Sequence, residues 1–203
     1  MRLLPYGDAA VLAEVADLDA ALSLYAALRA DPAHGVTDVV PAARTVLVRL
    51  DPARTTARDV ARWLRSVPPQ RPTGLVDEQV EIPVVYDGQD LDEIAAAAGW
   101  SRRDLVSAHC GQPWRVGFVG FAPGFAYLIP SHDWPALPRR PEPRAAVPAG
   151  SVGVADRYTG IYPRRSPGGW SILGRTTATL WDPGTDPPAL LRPGGTVTFV
   201  DAT

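Results

Sequence analysis

The spacing of apolar positions changes period several times in the first third of the chain. Ala10–Val15 is a short, almost continuous apolar run and predicts a strand. Beyond Asp17 the period lengthens: Leu18, Leu22, Tyr25 and Leu28 fall on one face of a helix that Asp17 caps. Val36–Val40 and Thr45–Leu50 return to strand patterning, the second rich in β-branched residues. Thr56 and Asp59 then form a capping-box pattern ahead of a helix whose buried stripe is Val60, Trp63, Leu64 and Val67. Residues 1–74 are therefore expected to form a small α+β domain with its helices on one sheet face. Its boundary is the linker Val67-Pro-Pro-Gln-Arg-Pro-Thr-Gly74, where three prolines and a glycine replace any periodicity.

Residues 75–203 begin differently. Val80, Ile82 and Val84 alternate as a strand. Two short helices are expected at Asp90–Ala98 and Ser101–Cys110, ended by Gly99 and Gly111 and started by the pairs Asp90/Glu93 and Ser101/Asp104. From Trp114 onward only short strand-like runs occur, separated by Gly and Pro turns, which argues for a closed or nearly closed β-barrel. Nine of the 18 glycines and nine of the 22 prolines lie in residues 117–175, interleaved with aromatic residues. Glycine allows close backbone approach and proline fixes φ, so this mixture shapes a surface of large rings held beside bare backbone.

Composition narrows the function classes. A chain of 203 residues with 46% hydrophobic and 21% charged residues has the make-up of a soluble globular protein. Its net charge of −2, without any basic run, argues against a nucleic-acid partner. All 20 basic residues are arginine, which removes Schiff-base and phosphate-loop lysines from consideration. Cys110 is the only cysteine, so no intrachain disulfide forms and a reducing compartment is expected. Pro5 and Asp8 interrupt the N-terminal segment before a signal-peptide apolar run develops, and Val116–His132 is too short and too broken to span a bilayer. The expected location is the cytoplasm.

Few residues offer chemistry outright. His109 stands in the last turn of its helix, where the helix terminus favours the imidazolium and burial opposes it. On residue type alone a packed, hydrogen-bonded histidine is the favoured reading, and an acid–base group is the alternative. Cys110 is its neighbour, but consecutive helical residues point about 100° apart and do not pair. The three histidines and one cysteine show no metal-ligand spacing, so no metal is expected. Ala149-Gly-Ser-Val-Gly153 lacks the first glycine of a nucleophile elbow, and neither a phosphate loop nor a dinucleotide fingerprint is present. Arg139, Arg140 and Arg144, in a proline-studded loop, and Arg175, beyond the second glycine block, suit a carboxylate or phosphate beside the backbone of Gly168 and Gly169. Solvating a loop is the plainer role for any one of them.

Four ordered motifs carry a family resemblance. They are Gly120-Phe-Ala-Pro-Gly-Phe-Ala-Tyr-Leu128, Pro148-Ala-Gly-Ser-Val-Gly153, Thr159-Gly-Ile-Tyr-Pro163 and Ser166-Pro-Gly-Gly-Trp170. With Gly7-Asp-Ala-Ala10, Ile82-Pro-Val84, His109 and Pro193-Gly194, they make nearly the whole chain resemble the allophanate hydrolase subunit 1 family, which includes the 5-oxoprolinase B subunit and the KipI-type inhibitors of sporulation histidine kinases. The resemblance implies an α+β N-terminal domain followed by a cyclophilin-like closed β-barrel. It implies one component of an ATP-dependent cyclic-amide hydrolase, inactive alone, that opens 5-oxo-L-proline to L-glutamate. The partners it implies are the larger homologous subunit, of the 5-oxoprolinase C or allophanate hydrolase subunit 2 type, and a separate activation subunit that uses the ATP. No cofactor is expected to be bound by this chain. The alternative is a KipI-type regulator that blocks histidine-kinase autophosphorylation. Carried over by position, the implied catalytic residues are His109, for proton transfer, and Tyr162. The implied substrate-binding residues are Phe121, Gly124, Tyr127, Arg144, Ser151, Thr159 and Arg175, with Arg144 or Arg175 on the substrate carboxylate. Two positions depart from the family pattern: Trp114 replaces a frequent Tyr, and Asp156-Arg-Tyr158 replaces a glycine-containing turn ending in Gln.

Overall fold

The protein is described by a computed structural model over residues 1–68 and 78–203. It divides into two compact units, Met1–Leu75 and Val76–Thr203. The expected linker lies, from residue 69 onward, outside the described residues, as does the boundary at 74/75.

In the first unit the elements are β1 (Arg2–Pro5), β2 (Ala10–Glu14), α1 (Leu18–Ala30), β3 (Val36–Pro41), β4 (Thr45–Leu50) and α2 (Ala57–Ser66). The strands form one antiparallel sheet in the order β1-β2-β4-β3. Alternation along β2 and β4 sends Val11, Val46 and Val48 into a core shared with Ala21 and Leu28 of α1 and Val60 and Leu64 of α2. Both helices begin as their sequences require: Asp17 Oδ1 accepts the N–H of Ala20 at 2.8 Å, and Thr56 Oγ1 accepts that of Asp59 at 3.2 Å. The apolar pattern does not predict β1, because Leu3 and Leu4 are too few to set a period. Its Pro5 sits at the end of an edge strand, where no ladder hydrogen bond is lost.

The second unit comprises β5 (Gln79–Val84), α3 (Leu91–Ala98), α4 (Arg102–Cys110), β6 (Pro113–Val119), β7 (Ala126–Pro130), β8 (Arg144–Val147), β9 (Ser151–Ala155), β10 (Tyr158–Ile161), β11 (Ser166–Gly168), β12 (Ser171–Arg175) and β13 (Thr196–Asp201). Seven strands make a curled sheet in the order β12-β9-β10-β7-β6-β13-β5, while β8 and β11 pair as a separate ribbon. The sheet's two edge strands meet where Val85, just past β5, and Arg175, at the end of β12, exchange N–H···O bonds of 2.9 and 3.0 Å. Inside the curl lies an apolar core of Ile82, Val84, Trp114, Leu128, Val154 and Phe199, joined by Leu91, Ile94 and Leu105 of the two helices. No helix among the described residues is long and apolar enough to cross a membrane.

Helix α4 starts with the complete capping box expected of Ser101 and Asp104. Helix α3 does not start as its sequence suggests. Asp90 holds the N-cap position but makes no side-chain cap bond; its carboxylate turns away from the helix into an arginine cluster.

Candidate functional site

The site is built on one face of the sheet. Along β9 and β10 alternation directs Val152, Val154 and Ile161 into the inner core. Gly153 and Gly160, direct cross-strand partners, therefore lie on the opposite face. A Cβ at Gly160 would stand 2.9 Å from the carbonyl oxygen of Ala126, 3.0 Å from Phe125 Cζ and 3.1 Å from Trp170 Cζ3. One at Gly153 would stand 3.2 Å from Trp170 Cβ. The paired glycines thus form a bare floor on which the Phe125 and Trp170 rings rest against backbone. Around it the aromatic residues meet edge to face: Phe125–Trp170 at 5.3 Å, Phe125–Tyr162 at 5.6 Å, Tyr127–Trp170 at 5.6 Å and Tyr127–Tyr158 at 5.8 Å between centroids. This is what the glycine, proline and aromatic blocks make.

A recess of about 380 Å³ opens beside this face, walled by Tyr127, Tyr158 and Trp170 and edged by Arg139 and Asp156. Its backbone is pinned on both sides of Arg139. Leu137 and Asp156 exchange N–H···O bonds of 2.9 and 2.7 Å, and the N–H of Arg140 donates to Gly169 O at 3.0 Å. The Arg139 side chain is exposed and has no hydrogen-bond or ion-pair partner among the described residues. Its charge still reaches the site. Burial pushes the hydroxyls of Tyr127 and Tyr162 above the usual phenol range, and the Arg139 guanidinium opposes that shift at both. Burial likewise raises Tyr158, with the Asp156 carboxylate acting in the same direction.

His109 and Thr159 lie in the inner core, away from this recess. Both are fully buried. The Thr159 hydroxyl donates its single proton to Gly153 O at 3.1 Å, so at 2.9 Å it must accept from His109 Nε2–H. The other ring nitrogen, Nδ1, then accepts from the Tyr86 hydroxyl at 2.7 Å, and Tyr86 in turn accepts from the Cys110 thiol at 3.2 Å. His109 also stacks on Phe199 with centroids 4.3 Å apart, and its carbonyl accepts from Trp114 Nε1 at 2.9 Å. Burial pushes the imidazole down to about 3. A ring held neutral, with both nitrogens engaged, is not set up to transfer protons to a ligand near pH 7.

The arginines divide by partner. Asp90, almost wholly buried, accepts from Arg144 at 2.6 Å, from Arg140 at 3.1 Å and from the N–H of Ile172 at 2.7 Å. Arg144 spends a further donor on the Trp170 carbonyl at 3.4 Å, and the carbonyl of the Gln89 amide accepts two more. It straps β8 to the turn before α3 and to Trp170. Arg175 pairs at the surface with Asp87 at 2.8 Å. Both arginines expected on a substrate carboxylate are ion-paired, Arg144 to the buried Asp90 and Arg175 at the surface to Asp87.

The expected site residues therefore do not converge on one place. Phe121, Tyr127 and Tyr162 belong to the aromatic face. Phe121 is 56% exposed at a positive φ of 67°, with its ring 6.1 Å from that of Tyr162. Gly124 closes the same turn against Trp181. Ser151 is buried at the start of β9, where its carbonyl accepts the N–H of Tyr162 at 3.0 Å. His109 and Thr159 are core struts, and Arg144 and Arg175 are ion-paired. Sequence reasoning misses Tyr86 and the anchoring role of Asp90, and it does not separate Arg139 from its neighbours. The signal for Arg139 is present only as a run of three arginines with no way to rank them. The departure Asp156-Arg-Tyr158 supplies two residues of the recess.

Comparison with known proteins adds the family. The carboxyltransferase domain family, subdomains C and D, matches residues 1–191. The chain is 40% identical over 172 residues to the 5-oxoprolinase B subunit of Escherichia coli O157:H7, covering 81% of this chain and 78% of that protein. It is 44% identical over 124 residues to the protein of that name from Bacillus subtilis strain 168, covering 60% of this chain and 52% of the relative. The crystal structure of TTHA0988 superposes with a TM-score of 0.80 at 39% identity over 96% of this chain, which spans only 40% of the TTHA0988 chain. PH0987 from Pyrococcus horikoshii matches at 34% identity with a TM-score of 0.58, covering 98% of this chain and 97% of that one. Urea amidolyase of Kluyveromyces lactis, 19% identical with a TM-score of 0.83 over 99% of this chain and 15% of its own, shares the fold. This chain belongs to the carboxyltransferase subdomain C and D family, the family of the 5-oxoprolinase B subunit and allophanate hydrolase subunit 1.

Proposed function

We propose that this chain is the B subunit of an ATP-dependent 5-oxoprolinase and acts with a larger homologous subunit and a separate activation subunit. The reaction breaks the lactam C–N bond of 5-oxo-L-proline; the oxygen of water goes to the carbonyl carbon and a proton to the nitrogen, giving L-glutamate. The observation that carries this reading is the 40% identity to the Escherichia coli 5-oxoprolinase B subunit across 81% of the chain. The larger TTHA0988 chain supports a role beside further protein, since a counterpart of this one makes up only 40% of it. The meeting of the edge strands at Val85 and Arg175 supports a closed, cyclophilin-like barrel.

Within that assembly the aromatic recess binds and orients the substrate. Tyr127, Tyr158 and Trp170 offer flat apolar walls for a small ring, and their outward placement leaves the mouth open for completion by a partner. His109 and Thr159 act as positioning residues that hold β10, and with it Tyr158, against the rest of the sheet. Arg144, through Asp90 and the Trp170 carbonyl, fixes the Trp170 wall. ATP-driven activation falls to a partner, since the chain carries neither a phosphate loop nor any lysine.

The test is reconstitution. The larger subunit and the activation subunit, with and without this chain, are assayed for ATP-dependent release of glutamate from 5-oxoproline. Release should require this chain; equal release in its absence overturns the assignment.

A further inference from the structure

We propose that Arg139 and Asp156 make the recess a receptor for a small lactam that carries a carboxylate, with Arg139 as the anion anchor and Asp156 as the acceptor for the lactam N–H. This receptor role rests on the lactam-opening reading above, and it assigns the substrate contacts to residues other than those the family pattern suggests.

Of the four arginines that the sequence singles out, three are already engaged. Arg140 and Arg144 share the buried Asp90 carboxylate, and Arg175 pairs with Asp87. Arg139 alone of this group has neither a hydrogen-bond nor an ion-pair partner among the described residues, although it lines a recess walled by three aromatic rings. The loop that carries it is not free to swing away, since backbone bonds at Leu137 and Arg140 hold it against Asp156 and Gly169. Gly169 brings bare backbone beneath the guanidinium: a Cβ there would stand 3.0 Å from Arg139 Nε. The pinned backbone fixes where the unpaired guanidinium starts from, and its fork of donors matches a carboxylate in two parallel bonds.

Asp156 supplies the opposite polarity. Its backbone is locked to Leu137 and its φ is +53°. The residue lines the same recess, and its carboxylate has no hydrogen-bond or ion-pair partner among the described residues. A five-membered lactam with a carboxylate beside its nitrogen presents one anion, one N–H donor and two nearly flat apolar faces. Those are complementary to a guanidinium, a carboxylate acceptor and the tyrosine and tryptophan rings. An uncharged lactam satisfies the walls and Asp156 but leaves Arg139 empty, so the site should discriminate by charge. The volume of about 380 Å³ lies at the small end of ligand pockets, as a ligand of this size requires.

The experiment titrates 5-oxo-L-proline and 2-pyrrolidinone into the full chain, and into the reconstituted complex, following the Trp170 indole by NMR. In either preparation 5-oxo-L-proline should move the Trp170 signal saturably, and 2-pyrrolidinone should bind at least roughly tenfold more weakly. Arg139→Gln should weaken 5-oxo-L-proline by roughly ten- to a hundredfold and leave 2-pyrrolidinone unchanged, with Arg139→Lys falling between. Asp156→Gly, which the positive φ tolerates, removes the acceptor and should weaken both lactams, because both present the N–H. Arg139 and Asp156 are exposed, so these variants fold. Absence of a Trp170 response in both preparations, or an Arg139→Gln affinity equal to wild type, overturns the proposal. The two readings fail separately. Charge-selective binding without any need for this chain in turnover leaves the receptor and removes the enzyme subunit. Turnover that needs this chain but shows the same KM with Arg139→Gln does the reverse.

Discussion

A buried imidazole is tolerable when nothing asks it to carry charge, and the surroundings of His109 meet that condition. The directed chain from the Cys110 thiol through Tyr86, His109 and Thr159 to Gly153 O satisfies each ring nitrogen with one donor or acceptor, so protonation would break the bond from Tyr86. The pH consequence has a definite sign. The folded-state value of about 3 lies below the ordinary 6.5, so between those limits the unfolded chain holds the extra proton. The stabilisation is complete above pH 6.5 and is lost as the pH falls towards 3, at about 1.4 kcal/mol per pH unit for the one proton. Urea unfolding across pH 6 to 4 should therefore show a slope about one proton steeper for the wild type than for His109→Gln, and the His109 ring should remain neutral by NMR at pH 5. A ring that titrates near 6.5 would contradict the network. Asp90 is the second residue whose worth is in its partners. Asp90→Ala leaves two arginines and the Ile172 N–H facing an emptied pocket and should cost about 3 kcal/mol or more. Arg144→Ala in the same background should then cost much less than it does alone, which a double-mutant cycle measures. Neither arrangement is legible in the sequence. The place of His109 at a helix end can be read, but its partners lie 23 and 50 residues away, and nothing local announces them. Arg139, Arg140 and Arg144 look alike in the chain and separate only when Asp90 arrives from 50 or more residues upstream.

Elements are more readable than residues because their signals are local. The stripe Leu22, Tyr25 and Leu28 is buried on α1, Val60 and Leu64 are buried on α2, and β4 occupies Thr45–Leu50 as its β-branched run suggests. Helix starts follow the sequence wherever a side chain has no better offer: Asp17, Thr56 and Ser101 cap, whereas Asp90 finds stronger, charged partners across the fold. The glycine-rich strands are legible as unusual and opaque as to purpose, since their reason is a ring lying across them. That reason is testable at the level of the β9–β10 pair. Gly160→Ala places a methyl group 2.9 Å from the Ala126 carbonyl oxygen, which belongs to the neighbouring strand and cannot yield cheaply. Gly153→Ala meets the Trp170 Cβ at 3.2 Å and the flexible Ile172 Cδ1 at 3.3 Å. Gly160→Ala should thus destabilise by about 1–3 kcal/mol and shift the Trp170 emission, and Gly153→Ala should do so less. Equal and negligible effects would show that the rings do not rest on this floor.

The second unit has a topology in which the chain's last strand completes its sheet. Strand β13 lies between β6 and β5, antiparallel to the first and parallel to the second, and its register with β5 runs from Thr196↔Gln79 to Asp201↔Val84. Beyond the strand, Ala202 N–H donates to Val84 O and the Thr203 hydroxyl accepts from the N–H of Tyr86, both at 2.9 Å. These contacts bridge more than a hundred residues, so the loop between them must close before they contribute, and folding of the unit should be slow for its size. Val197 and Phe199 supply two fully enclosed core side chains, and Phe199 is the surface on which the His109 ring stacks. Removing residues 196–203 would expose the ladder edges of β5 and β6 together and take away one side of the histidine's enclosure. The truncated chain should lose the cooperative unfolding transition of the second unit and the near-ultraviolet dichroism of its buried tryptophans. Among the described residues the first unit's sheet is built of β1 to β4 alone, so its far-ultraviolet signal should persist. If the truncated chain kept a cooperative transition at the wild-type temperature, β13 would be an accessory to the sheet. The aromatic recess would then not depend on the strand that encloses the core behind it.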